Sequence, residues 1–336
     1  MLSKRRNILL VVMVAVITYS VIFYLIFINL NDAVPIIMSL NIALLIPALL
    51  LRILSLTLHS FSWYFILKVY YKELSITKVL TITLAAISTE LLVPIGGVTE
   101  VAKILMLRQI LSMPQDVIIP ALLTHRLILT VVTALITMFA ISVIRAPLDL
   151  TILLSTSIAG LLIINVVLLL IPSSNIFERI ANRISSKFNL QLNDFPNKYR
   201  SSVRKLFTSG KTLLLISTLI ILLEKLSNTL YGICLGMLVS TNIDFITSLI
   251  VFDSIYMIIW LLPLVTPGNI GVFEAVQIIL LKSLGISLKI SGILALINRV
   301  VTVVSEYPLL LLSTTYLGIR VKQLTDMVKS EKNHLV

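Results

Sequence analysis

The sequence predicts an all-α integral membrane protein with about six spanning helices and two re-entrant helical hairpins, and its composition is the first reason. Apolar residues make up 58% of the 336 residues, and charged residues only 12%. Soluble domains are about half apolar and a quarter charged. So few charges cannot coat a water-soluble globule of this size, so lipid must be the solvent for most of the chain.

The spacing of the apolar runs is the second reason. In hydrocarbon the backbone must satisfy its own hydrogen bonds, so apolar runs of about 20 residues predict helices. The predicted spans are Ile8–Ile28, Val34–Leu67, Val117–Ile144, Leu148–Ile171, Thr212–Val239 and Lys289–Leu317. Two further apolar regions, Val79–Leu111 and Thr247–Leu284, are interrupted in the middle by Pro and Gly.

The basic residues predict the topology. The net charge is +12, and residues 172–211 carry eight basic side chains against two acidic ones. By the positive-inside rule this loop, the N-terminus, the link 68–78 and the tail 319–336 are cytoplasmic. The number of crossings is consistent only if each interrupted region returns to its own side. The two hairpins then enter from opposite sides, and both termini lie in the cytoplasm. No nucleic-acid-binding motif accompanies the basic residues.

The two interrupted regions resemble each other. The first reads Pro94-Ile-Gly-Gly-Val-Thr-Glu100 and the second Pro267-Gly-Asn-Ile-Gly-Val-Phe-Glu274, and their Gly and Glu residues align at an offset of 174. We predict an inverted repeat with halves at about 79–144 and 247–317, inside one membrane domain, residues 1–318. In transporters, interrupted helices at equivalent places in two halves indicate the substrate site.

Buried charges near these breaks are the candidate functional groups. An ionisable side chain inside a bilayer costs at least about 2.5–3.5 kcal/mol, so it is a functional candidate by default. Glu100 and Glu274 either cap their own helices or pair with an arginine, a cationic headgroup or a proton. Arg126 and Arg299 either bind a lipid phosphate or form salt bridges with these glutamates or with Glu306. The predicted substrate-binding residues are Arg126, Arg299, Glu100, Glu274, Gly97, Gly271, Asn269 and Arg108.

Other polar residues in apolar segments are expected to pair between helices. They are Arg52, His59, Glu90, His125, Glu224, Lys225, Asp253, Tyr256 and Trp260. The single cysteine, Cys234, excludes a disulfide within the chain. No motif for a metal, a cofactor or a catalytic triad is visible, so we predict none of them.

The two motifs also carry a family resemblance. The chain is similar over residues 8–318 to the flippase-like family, which includes the membrane half of bacterial lysylphosphatidylglycerol synthases. The resemblance implies a lipid-handling membrane domain associated with moving aminoacylated phosphatidylglycerol between leaflets. Only Gly318 to Val336 follow the last predicted helix, so a soluble lysyl-transferring domain is not expected. The first motif departs from the usual Pro-Gly-x-x-Gly-Glu of the family.

Three functions remain open from the sequence. The leading one is a plasma-membrane transporter that moves a phospholipid or a polyisoprenyl-linked lipid between leaflets. The second is a lipid-headgroup transferase with Glu100 and Glu274 as acid and base. The third is an accessory subunit of a lipid-modifying glycosyl- or aminoacyltransferase. The expected partner is membrane lipid, with a second copy of the chain or such an enzyme as further possibilities. With no nucleotide-binding motif, movement would be downhill, ion-coupled or driven by a partner.

Overall fold

The fold is helical, as predicted. A computed structural model describes residue 35 and residues 38–89, 98–170, 195–261 and 269–318. Within these residues the chain forms ten helices and no strand. They are α1 Leu45–Lys68, α2 Ile76–Ser88, α3 Val98–Leu111, α4 Gln115–Ile144, α5 Leu148–Leu170, α6 Phe195–Ser209, α7 Lys211–Leu238, α8 Phe245–Ile259, α9 Val272–Ser283 and α10 Leu288–Tyr316.

Five helices are long and apolar enough to cross a membrane. They are α1 with its leading turn (Ile42–Lys68), α4, α5, α7 and α10, with 23 to 30 residues each. A rise of about 1.5 Å per residue makes each of them longer than the ~30 Å hydrocarbon layer. Five of the six predicted spans are therefore confirmed, and the chain is a multi-pass membrane protein. The remaining prediction, Ile8–Ile28, lies outside the described residues.

The start of the first described span differs from the prediction. The apolar run begins at Val34, but the regular helix begins only at Leu45, after a 3-10 turn from Ile42 to Leu44. The chain turns before it, and the backbone N–H of Asn41 donates to the carbonyl of Leu238 at 3.0 Å. This bond to another helix is why the boundary was wrong.

The two interrupted regions form pairs of short helices. Helices α2, α3 and α9 have 13, 14 and 12 residues, and α8 runs from Phe245 to Ile259. At about 1.5 Å per residue each is too short to cross the hydrocarbon layer. The members of each pair pack against one another. The breaks between them, residues 90–97 and 262–268, lie outside the described residues.

The order of long and short helices occurs twice. Helices α1–α4 follow the sequence long, short, short, long, and α7–α10 repeat it, with α5 and α6 between them. The two sets interlock, because α10 packs on α2, α4 packs on α8, and α1 lies along α7. One of the two main hydrophobic clusters, which draws on α1, α4, α5 and α7–α10, therefore lies where the two sets meet.

Part of the predicted basic loop is a helix. Helix α6 buries Tyr199 and Leu206 against the bundle and leaves basic residues such as Arg204 exposed. The Tyr199 hydroxyl donates to the Leu169 carbonyl at 3.1 Å, and the Tyr70 hydroxyl donates to the Ser202 carbonyl at 2.8 Å. Burial raises the pKa of both phenols, so they remain protonated donors.

Helix α7 closely approaches α8 and the link that precedes it at two glycines. A Cβ at Gly232 would lie 2.2 Å from Cδ2 of Phe252, and one at Gly236 would lie 2.7 Å from Cγ1 of Ile243. Such small-x-x-x-small spacing lets membrane helices pack backbone to backbone. It holds α8, which contributes to the site below, against α7.

We expect Gly232→Ala to lower the free energy of unfolding by about 1–3 kcal/mol, because the added methyl overpacks this contact. Thermal unfolding in detergent measures the change. Gly160→Ala is the matched control, since its Cβ would make an ordinary 3.5 Å contact with Leu261. Equal stability of the two variants would contradict close packing at Gly232.

Candidate functional site

A polar cavity of about 150 Å³ lies where the two sets of helices meet. Nine of its described lining residues are acidic, basic or histidine: Arg52, His59, Glu100, Lys103, His125, Arg126, Glu224, Lys225 and Glu306. They come from α1, α3, α4, α7 and α10. Glu224 and Lys225 lie at the middle of the 28-residue α7, far from both helix ends. So much charge in the middle of apolar helices makes this cavity the candidate functional site.

Arg126 and Glu100 form an open ion pair in this cavity. Arg126 Nη1 lies 3.6 Å from Glu100 Oε1, and the two side chains are 24% and 26% exposed. The guanidinium of Arg126 lies over the Trp260 ring, 5.1 Å from its centroid. Its Nε has no hydrogen-bond partner among the described residues. A guanidinium held this loosely can offer its planar fork to an anion.

Arg299 and Glu274 form a second ion pair, which is buried and lies outside the cavity. Glu274 is the third residue of α9 and accepts a hydrogen bond of 2.6 Å from the backbone N–H of Gly271, the N-cap. Its other oxygen accepts from Nε of Arg299. Glu274 is fully buried, Arg299 is 11% exposed, and neither lines the described part of the cavity. The capping interpretation of Glu274 is thus confirmed, and Arg299 holds the cap.

The remaining predicted site residues lie apart from the cavity or outside the described chain. Asn269 and Gly271 have positive φ, 55° and 88°, in the turn that starts α9. Arg108 is exposed in the last turn of α3 and does not line the cavity. Gly97 and Glu90 lie outside the described residues. Of the eight predicted residues, the structure brings Arg126 and Glu100 to the cavity.

The interhelical pairing predicted for the weaker candidates is confirmed for three pairs. Arg52 of α1 lies 2.6 Å from Glu306 of α10, so Glu306 is not the partner of Arg299. His59 of α1 lies 3.4 Å from Glu224 of α7, and Lys225 lies 3.6 Å from Asp253 of α8. Asp253 also accepts hydrogen bonds from Thr229 and Asn228, at 3.0 and 3.3 Å.

Lys103 is a cavity residue that the sequence reasoning missed. It is 5% exposed, and its Nζ lies 3.3 Å from Nε2 of His59. Its position three residues after Glu100, on the same helical face, was a usable signal. At the repeat offset its counterpart is Gln277, whose Oε1 accepts from Asn298 Nδ2 at 2.9 Å.

The chemistry of the cavity is that of charge and hydrogen bonding. No group of three or more His, Cys, Asp or Glu suited to a metal ion occurs in the described part of the chain. The cavity instead offers cations, carboxylates and imidazoles on five helices, which suits a charged or zwitterionic ligand.

Comparison with known families identifies the class of this fold. The model of the family "Lysylphosphatidylglycerol synthase TM region" matches residues 8–309. The chain belongs to this family. The match covers the described helices up to the last turns of α10, so the resemblance seen in the two motifs is confirmed. Neither a curated protein nor a solved structure gives a significant match.

Proposed function

We propose that this member of the lysylphosphatidylglycerol synthase TM-region family moves a phosphate-bearing lipid between the two leaflets. The lipid headgroup would pass through the polar cavity while its chains stay in the bilayer. The observation that carries the proposal is the accessible guanidinium of Arg126 at membrane depth. Membership of the family supports a lipid as the cargo.

The surroundings of Arg126 favour a phosphate as its ligand. A phosphate group in a low-dielectric cavity must be paired, and a guanidinium forms two parallel charged hydrogen bonds to it. Arg52 is less available because Glu306 holds it at 2.6 Å, whereas Glu100 lies 3.6 Å from Arg126. A phosphate can displace this distant carboxylate. The Trp260 ring, with its centroid 5.1 Å from the guanidinium carbon, supports the guanidinium from one side.

The architecture supports transport by alternating access. We propose that α2–α3 and α8–α9 are re-entrant hairpins that enter from opposite sides and form an inverted repeat. The short helices, the repeated helix order and the interlocked packing support this arrangement. Folds of this type move one half against the other around a central site. We further propose that both termini lie in the cytoplasm, as the positive-inside rule predicts from the basic links, and that the membrane is the plasma membrane.

The position of Glu274 favours movement over headgroup chemistry. A transferase using Glu100 and Glu274 as acid and base needs both carboxylates at one site. Glu100 lines the cavity, whereas Glu274 is fully buried between Gly271 and Arg299. The cargo that fits best is an anionic phospholipid or a polyisoprenyl phosphate, bound through the phosphate that the two share.

Purified protein in phosphatidylcholine vesicles tests the proposal. Trace phosphatidylglycerol with a fluorescent acyl chain is added, and dithionite quenches the label that reaches the outer leaflet. We expect quenching to proceed beyond the outer-leaflet half within minutes. Protein-free vesicles with the same labelled lipid control for leaks and for spontaneous movement. A phosphatidylglycerol rate equal to that of protein-free vesicles would contradict the proposal.

A further inference from the structure

We propose that lipid movement by this chain is coupled to a proton that binds at His59 and displaces Lys103. The inference rests on the proposed function, because it names the ion that would drive the transport. It starts from ionisable side chains in the cavity that phosphate binding by Arg126 does not use.

These side chains form a continuous row between the two hairpins. Lys103 Nζ lies 3.3 Å from His59 Nε2, and His59 Nδ1 lies 3.4 Å from Glu224. Lys225 lies 3.8 Å from Glu224 and 3.6 Å from Asp253. The row therefore connects α3 of the first pair of short helices with α8 of the second. Rows of Asp, Glu and His inside membranes are typical of proton pathways.

The contacts of His59 define its protonation state. A lysine ammonium carries three donors and no acceptor, so Nε2 of His59 must accept from Lys103. The proton of the neutral ring then sits on Nδ1, the ring nitrogen that lies 3.4 Å from the Glu224 carboxylate. A second proton has one place to bind, at Nε2, where the ammonium of Lys103 now lies.

Protonation of His59 must therefore move Lys103. Two positive groups facing each other at 3.3 Å repel, so Lys103 leaves when Nε2 gains its proton. Lys103 and Glu100 lie three residues apart on α3, close enough to pair. A Lys103 that turns to Glu100 takes over the carboxylate and releases Arg126 for phosphate. Proton binding and lipid binding are in this way linked through one helix.

The other charged groups around His59 do not prevent this displacement of Lys103. His125 of α4 lies with its ring centroid 5.0 Å from that of His59, but its Nε2 is engaged by the Ser62 hydroxyl at 2.7 Å. Glu224 and Lys225 of α7 belong to the row itself. In the second half, Gln277 stands where the first half has Lys103, and Asn298 precedes Arg299 as His125 precedes Arg126. These amides do not titrate, so the proton step belongs to the first half.

Vesicles with an imposed pH difference test the coupling. The labelled phosphatidylglycerol assay is run with the two sides at pH 6 and 7.5, in both directions and without a gradient. We expect the rate to depend on the gradient, by roughly tenfold per pH unit at most for one proton. In His59→Gln, whose amide can still accept from Lys103 but cannot take up a proton, the dependence on the gradient should be lost. His125→Gln should keep it.

A second measurement tests the proton site independently of lipid movement. Hydrogen exchange of α3, corrected for intrinsic rates, should be faster at pH 5.5 than at pH 8 in the wild type and equal in His59→Gln. Exchange that is independent of pH in the wild type, or still pH-dependent in His59→Gln, overturns the inference. Lipid movement that ignores the gradient also overturns it. No lipid movement at any pH, together with the expected exchange, refutes the transport proposal and leaves the proton site standing.

Discussion

Arg126→Gln is expected to slow phosphatidylglycerol movement by about 10- to 100-fold. Glutamine is shorter and keeps some hydrogen bonding, but it loses the charge-assisted bonds to phosphate, worth about 1.5–3 kcal/mol. The variant should stay folded, because Arg126 is partly exposed and its partner Glu100 reaches the open cavity. The vesicle quenching assay measures the rate.

Two further variants make this result specific. Arg145→Gln removes an arginine from the exposed end of the same helix, α4, and should move lipid at the wild-type rate. Arg126→Lys should fall between the wild type and Arg126→Gln, because lysine keeps the charge and loses the planar fork. Equal rates for Arg126→Gln and Arg145→Gln would show that Arg126 does not hold the phosphate.

Glu274→Ala is expected to destabilise the fold by about 3–5 kcal/mol, the cost of breaking a buried ion pair from one side. It leaves Arg299 charged at 11% exposure and removes the acceptor for the Gly271 N–H. Thermal unfolding in detergent should show a large drop in the midpoint temperature.

The double variant Glu274→Leu, Arg299→Met separates the pair from its surroundings. Apolar residues of similar size can replace a buried ion pair with little loss, so much of the stability should return. Movement of lipid by this double variant would assign the pair to structure. If the double variant is as unstable as Glu274→Ala, the ion pair does not explain the loss.

The long helices could be predicted from the sequence because the hydrocarbon layer demands apolar runs of a set length. The observed ends of α4, α5, α7 and α10 lie within two residues of the predicted ones. The start of α1 could not be predicted in this way, because it depends on a hydrogen bond between Asn41 and Leu238, which are far apart in the chain. Helix α6 was also missed, because a basic amphipathic helix in a polar segment has the composition of a loop.

The candidate site could be predicted in part. The repeat led to Glu100, Arg126, Glu274 and Arg299, and the structure pairs them as the sequence allowed. The sequence similarity gave no reason to distinguish the two pairs. In the structure, however, Glu274 and Arg299 are buried, whereas Glu100 and Arg126 are partly exposed in the cavity. Whether a glutamate closes its own helix cap or faces a cavity depends on how neighbouring helices cross, which no local motif encodes.

Lys103 shows a different limit. Lys103 contacts His59, which lies 44 residues earlier in the chain on another helix. The pairing of Arg52 with Glu306, 254 residues apart, likewise needs the complete fold. Charges in apolar segments can be recognised as expensive from sequence, but their partners become visible only once the two sets of helices interlock.

The position of a lipid phosphate tests the central claim most directly. A cryo-electron microscopy map of the full chain in phosphatidylglycerol nanodiscs is the measurement. We predict headgroup density in the cavity with its phosphate against the Arg126 guanidinium, between Glu100 and Trp260. Lipid density confined to the outer surface of the bundle, with Glu100 closed onto Arg126, would contradict the account.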